Sequence, residues 1–281
     1  MDPRKSKASL SPKHFFDQPP LIETVLGAQF KPLAGLTNGH LGAFWSKLGK
    51  DWPNCKDMPP LPPAYERFEI ETSWAGLGGM ALQLTDNPAS RMQIRNSAQD
   101  RMIQIQNGRF HYNWIKVNDV YPHFTSVFAE FQTQWKSLCN FLEGMGLGKP
   151  VVDQWEVTYV NHIPKGSVWS EPSDWGKLFR GLGLVQVASP GIPETLGLAA
   201  TFQIPKRVGR LHWKQQHALL NDPKPGMPKE VLRLELTARG PISEAVGLEA
   251  GLNIGHEAII DTFVAHTSDE AHKFWGLHGN R

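Results

Sequence analysis

Two stretches of this sequence carry residue types that could do chemistry, and each fails its motif at a named position. Gly144-Met145-Gly146-Leu147-Gly148-Lys149-Pro150 has the glycines and the lysine of a phosphate-binding loop. That loop needs four residues between its glycines and a Ser or Thr directly after the lysine. Here three residues separate Gly144 from Gly148, and Pro150 stands where the hydroxyl should be. The stretch also closes a helical pattern, whereas a phosphate cradle opens one so that helix N–H groups face the anion. It reads as a helix C-cap and linker. His256-Glu257 begins like the zinc motif HExxH, but position 260 is Ile, so the second imidazole on that helical turn is missing. There is no GxSxG and no cysteine–histidine signature. Asp153 and Glu156 are close in sequence, but charges at the start of a strand are ordinarily solvated. No metal and no cofactor is expected.

The strand faces carry more. Successive strand residues point to opposite sides of a sheet. Over 231–239, Leu232, Leu234, Leu236 and Ala238 face one way, and Arg233, Glu235, Thr237 and Arg239 the other. Arg91, Gln93 and Arg95 oppose Met92 and Ile94, and Gln104 and Gln106 oppose Ile103 and Ile105. Arg210, His212, Lys214 and Gln216 oppose Leu211 and Trp213. In 153–163, Trp155, Val157, Tyr159 and Asn161 share one face, with Trp155 and Tyr159 as core aromatics, opposite Glu156, Thr158, Val160 and His162. The polar side is rich in groups that hydrogen-bond phosphates, base edges or polypeptide. The candidate binding residues are therefore Arg91, Gln93, Arg95, Gln104, Gln106, Glu156, His162, Arg210, His212, Lys214, Arg233 and Arg239.

The elements that must position them follow from periodicity. A first strand, Ile22–Phe30, follows Pro19-Pro20 and stops at Pro32, and a short helix carries Leu41, Phe44, Trp45 and Leu48. Pro59-Pro60-Leu61-Pro62-Pro63 is an extended polyproline-type connector on the surface. Strands are expected over 66–72, 78–86, 91–96, 101–106 and 109–117, the last two joined by the Asn107-Gly108 turn. Phe124, Val127, Phe128, Phe131, Trp135, Leu138 and Leu142 then form one helical stripe, ended by Gly144 and Gly146. The pattern restarts with a strand over 153–163 and a helix opening at Ser173-Asp174. Strands are expected near 197–205, 209–218 and 230–239, with a turn-rich loop over 220–229. Last come a helix over 253–266 and a shorter one opened by a Thr267–Glu270 capping box. His256, His266 and His272 are expected on exposed or partly exposed helix faces.

The expected fold is α+β, in two similar halves over 19–148 and 149–281. Each half runs strand, short helix, antiparallel strands, long helix, with the helices packed on one sheet face. Residues 1–18 read as a polar tail; its basic start lacks the apolar core of a secretory signal. Composition agrees with a globular chain: 281 residues, 40% hydrophobic, 20% charged, with ten Trp and fourteen Phe to anchor a core. A net charge of +2 and pI of about 8.5 are too mild to imply nucleic acid. Cys55 and Cys139 form no CxxC, and Cys139 falls in a helical pattern as a reduced thiol. No apolar run reaches the roughly 18 residues that span a bilayer. A cytoplasmic protein is expected.

Several stretches resemble a sporadically distributed bacterial protein family. They are Pro19-Pro20-Leu21-Ile22-Glu23-Thr24-Val25, the strand Val157-Thr158-Tyr159-Val160-Asn161-His162-Ile163, and His256-Glu257-Ala258-Ile259 with Thr267 to Gly276. Thr158 and His162 depart from the family pattern, which favours arginine at both places, so a role for those arginines does not carry over. The resemblance implies this fold, a bacterial source and a defence or mobile-element setting. The expected function is non-enzymatic binding through the polar sheet face, with a protein or nucleic acid as partner and self-association left open. The alternative on that face is nucleic-acid binding or a metal-independent nuclease, with His162, His212 or His111 as acid or base. A third is an enzyme acting on a small molecule in a groove between halves.

Overall fold

The computed structural model describes residues 14–68, 90–118, 121–180, 194–220 and 229–279. The strands expected over 78–86 and most of 66–72, and most of the 220–229 loop, lie outside these. In chain order the elements are β1 (Phe15–Phe16), β2 (Leu21–Phe30), α1 (Asn38–Leu48), β3 (Asn54–Met58), β4 (Arg91–Arg95), β5 (Arg101–Gln106), β6 (Arg109–Ile115) and α2 (Phe124–Gly144). There follow β7 (Val152–Pro164), α3 (Trp175–Leu178), β8 (Gly197–Gln203), β9 (Arg210–Leu220), β10 (Lys229–Pro241), α4 (Leu248–His266), α5 (Asp269–Trp275) and β11 (Leu277–His278).

One antiparallel sheet has the order β3-β4-β5-β6-β2-β7-β10-β9-β8. The chain leaves central β2 for the edge at β3, returns through β4, β5 and β6, and enters α2. From central β7 it reaches the other edge at β8, returns through β9 and β10, and enters α4. Because β2 and β7 pair along most of their length, the 19–148 and 149–281 segments share one sheet.

Both long helices cover the same face, where period-two alternation has placed the apolar residues. Phe110 meets Phe131 and Trp135 of α2 at 5.9 and 5.6 Å between ring centroids. Trp155 is fully buried under α4, in a slot lined by residues without side chains. A Cβ at Gly209, Gly240, Gly251 or Gly255 would come within 3 Å of its indole. Those glycines also explain why α4 starts at Leu248, five residues before the expected start. Gly247, Gly251 and Gly255 weaken the local helix signal, but the space left at Gly251 and Gly255 admits the largest side chain in the core. Substituting Gly251 by Ala should therefore destabilise the fold. The helix gains about 1 kcal/mol of propensity, but the new methyl would sit 2.2 Å from Trp155 Cδ1, and such overpacking costs more. The expected net loss is about 2 kcal/mol, read as a Tm lowered by several degrees. An unchanged or raised Tm would show that the slot has room.

Three local expectations need correcting. The tail ends before Phe15, because Phe15 and Phe16 pair with His278 and Leu277, and Phe16 packs edge-on against Phe263 and Trp275. Ser268, rather than Thr267, caps α5, accepting the N–H of Ala271. Thr267 is itself buried, donating to the Phe263 carbonyl and lying 2.8 Å from His272 Nε2, so His272 is buried rather than exposed. His256 is half-buried, stacked on Phe124 at 3.9 Å with its Nδ1 2.7 Å from the Tyr159 hydroxyl. Cys55 and Cys139 are unpaired and half-buried, and burial pushes the Cys139 thiol up to about 11. No helix among the described residues is long and apolar enough to cross a membrane.

Candidate functional site

The strand registers put all twelve candidate residues on the sheet face opposite α2 and α4. One row crosses the sheet as Gln93, Gln104, His111, Gly27, Glu156, Arg239 and Arg210, each opposite the next. A neighbouring row runs Gln106, Arg109, Gln29 and Gln154. Gly27 has no side chain where His111 and Glu156 approach each other. A Cβ there would lie 2.7 Å from His111 Cδ2 and 3.3 Å from Glu156 Cβ.

The face is not open along its length. Residues 61–68 cross it as a strap. Gln106 on β5 accepts the Leu61 N–H at 2.8 Å and donates to the Leu61 carbonyl at 2.9 Å. Gln29 on β2 accepts the Ala64 N–H at 3.5 Å, and Gln154 on β7 accepts the Glu66 N–H at 2.8 Å and donates to the Ala64 carbonyl. Glu66 then enters a cluster of basic side chains, 2.8 Å from Arg210 Nη1, 2.6 Å from His212 Nε2 and 2.8 Å from Arg239 Nε. Beyond it, Arg210 donates to the Arg67 carbonyl and lies 4.3 Å above the Phe68 ring, while Arg207 donates to the Phe68 carbonyl.

Seven residue steps from Leu61 to Phe68 reach about 23 Å at about 3.3 Å each. That matches the roughly 24 Å across β5, β6, β2, β7, β10 and β9 at about 4.8 Å per interval. The prolines suit this path. A chain laid over a sheet face has no strand partner, and proline has no N–H to leave unsatisfied. The amides that remain at Leu61, Ala64 and Glu66 are met by glutamine side chains.

Electrostatics follow from burial. Burial opposes the charge of Glu66, but hydrogen bonds from His212, Arg210 and Arg239 outweigh it and hold the carboxyl at about 2. Burial likewise opposes the charge on Glu156, and the Arg109 and Arg239 guanidiniums, with a hydrogen bond from Arg239, more than compensate, so its pKa is lowered. His111 lies 3.4 Å from Glu156, yet its burial, with the Arg109 and Arg91 guanidiniums, depresses it to about 4, leaving it neutral at pH 7. Beside the strap is a cavity of about 370 Å³, with Leu61 on one wall and His111, Glu156, Lys214, Glu235 and Arg239 among the others.

The candidates fall into three groups. Arg91, Gln93 and Gln104 form a chain that continues through Asn113 to Glu23, with Arg95 near Glu23. Gln106, Glu156, Arg210, His212, Lys214 and Arg239 surround the strap and its cavity. His162 and Arg233 face each other across β7 and β10, with Arg233 also near Glu23. His162 lines a second cavity of about 1160 Å³, and Arg233 pairs with Glu235 at 2.6 Å. Glu66, Gln29, Arg109, Asn113 and Gln154 were not among the candidates. Carrying the alternation through β2, β6 and β7 finds the last four; no strand periodicity finds Glu66.

No family model matches this chain, and no curated protein matches it.

Proposed function

We propose that this chain is a non-enzymatic binding protein whose working surface is the polar sheet face. We keep with that proposal its place in the sporadically distributed bacterial family and the defence or mobile-element setting. One observation carries the functional reading. Glutamine amides and guanidiniums from five strands, β5, β2, β7, β10 and β9, converge on the backbone and the carboxylate of one extended segment. Such groups on rigid strands are preorganised for recognition, and an already ordered face loses little side-chain entropy on binding. A partner made of polypeptide fits better than nucleic acid. Glu23, Glu156 and Glu235 are interleaved with the cations, and carboxylates repel a continuous phosphate backbone.

The test is capture. The native chain and a variant with Arg91, Arg95, Lys214 and Arg233 all changed to Glu would be used as bait in a bacterial extract, with bound proteins read by mass spectrometry. The native chain should enrich a defined protein that the variant, still folded by circular dichroism, no longer holds. Equal capture by both would remove the polar face from the function. Capture of nucleic acid that weakens steeply with salt would transfer the face to the alternative partner.

A further inference from the structure

We propose that the polar face is a binding site for an extended peptide of another protein that carries a glutamate, and that residues 61–68 are its resident occupant. This deepens the binding reading above and rests on it.

The strap is held in a way that separates from the sheet. All of its backbone bonds described above go to side chains, so lifting it breaks no strand pairing. Its residues alternate in role. Leu61, Ala64, Glu66 and Phe68 are part-buried toward the sheet, and Pro62, Pro63, Tyr65 and Arg67 are exposed. A peptide could therefore be read as apolar, two spacers, small, spacer, glutamate, spacer, aromatic. The glutamine contacts read backbone and accept any sequence. The Arg210, His212 and Arg239 cluster demands a carboxylate, and the Arg210 guanidinium favours a ring two residues later.

The site also has capacity that the strap leaves unused. The cavity beside Leu61 offers Lys214 and Arg239 as donors and Glu156 and Glu235 as acceptors. Gln29 is 5% exposed and its Nε2 has no hydrogen-bond partner among the described residues. A buried amide donor without a partner is costly, and an occupant that places an acceptor over Gln29 on β2 would supply one. A tethered strap competes at high effective concentration, so the native chain should hold a free peptide weakly.

The experiment uses the full chain and a fluorescein-labelled peptide with the sequence of residues 59–68. Glu66→Ala removes the strap's anchor and leaves the Arg210, His212 and Arg239 side chains in place. By fluorescence anisotropy the variant should bind this peptide at least tenfold more tightly than the native chain does. A peptide with alanine in place of the glutamate should bind at least tenfold more weakly than the first. A folded variant that ignores the peptide overturns the proposal. So does one that binds both peptides equally, or one that prefers a single-stranded oligonucleotide.

Should Glu66→Ala not fold, hydrogen exchange of the native chain decides. The Leu61 and Glu66 amides should exchange at least a hundredfold faster than amides of β2 and β7, through an opening that leaves the sheet closed. Exchange at the same rate as those strands would make the strap a fixed part of the fold and overturn the proposal. The two readings fail separately. If the capture test succeeds and the peptide test fails, the face binds without replacing the strap. If the peptide binds and charge reversal leaves capture unchanged, the natural partner binds elsewhere.

Discussion

Glu66→Ala should destabilise the folded chain by about 3 kcal/mol at pH 7, the worth of a carboxyl held at about 2 instead of 4.5. The loss is large because the change leaves Arg210, Arg239 and His212 facing one another around an empty place. Removing one partner of a desolvated charge cluster costs more than the cluster adds. Burial decides the size: the Glu66 side chain is 6% exposed, whereas an ion pair in solvent is worth about 1 kcal/mol or less. Glu66→Gln keeps the shape and one acceptor, so it should lose less than Glu66→Ala. Urea unfolding of the three proteins checks the order, and a Glu66→Ala midpoint equal to the native one would mean the strap adds nothing. The pH dependence has a fixed sign. Because the folded carboxyl titrates lower than the unfolded one, its contribution is complete above pH 4.5 and disappears as pH falls toward 2.

A second loss is expected earlier in acid. His111 and His256 are both depressed from 6.5 to about 4, chiefly by burial. Each unfolded histidine binds a proton that its folded form refuses, so the contribution is full above pH 6.5 and lost as pH falls through 4. A drop to about 4 is worth about 3 kcal/mol for His111, at about 1.4 kcal/mol per tenfold change in proton affinity. The half-buried His256 adds somewhat less. Together they approach the whole stability of an ordinary domain, about 5–15 kcal/mol. Urea midpoints should fall sharply between pH 7.5 and pH 4.5, before Glu66 begins to titrate. His111→Asn removes one of the two titrations and should flatten this fall by roughly half. Equal midpoints at both pH values would show that the two imidazoles take up protons without opening the fold.

The polar face was legible because strand alternation is a strict period of two. Once Leu232, Leu234 and Leu236 were assigned to the core, Arg233, Glu235 and Arg239 had to face away. The long helix α2 was legible for the same reason in its own period. What the face binds was not legible. Tyr65, Glu66 and Phe68 look like the start of a strand, and local pattern does not distinguish a strand from a strap laid over a sheet. Gln29 sits between Ala28 and Phe30, and Gln154 lies at the start of its strand, so their shared row appears only when register joins β2 to β7. The edge strand Asn54–Met58 was missed because it pairs on one side only, and Asn, Lys and Asp are depleted in strands. His272 was misplaced because a capping pattern predicts the start of a helix and says nothing about which side meets the core.

The pairing of Phe15 and Phe16 with His278 and Leu277 has a mechanical meaning. The outer pair is Phe15 with His278 and the inner pair Phe16 with Leu277. A force drawing residue 15 away from residue 278 therefore opens the bridge like a zipper, one pair at a time. Next it would meet the Asp17 and Gln18 amides, which donate to the Gly276 and Trp275 carbonyls. This small clasp should yield at low load in single-molecule stretching, well before the central β2–β7 pairing is disturbed.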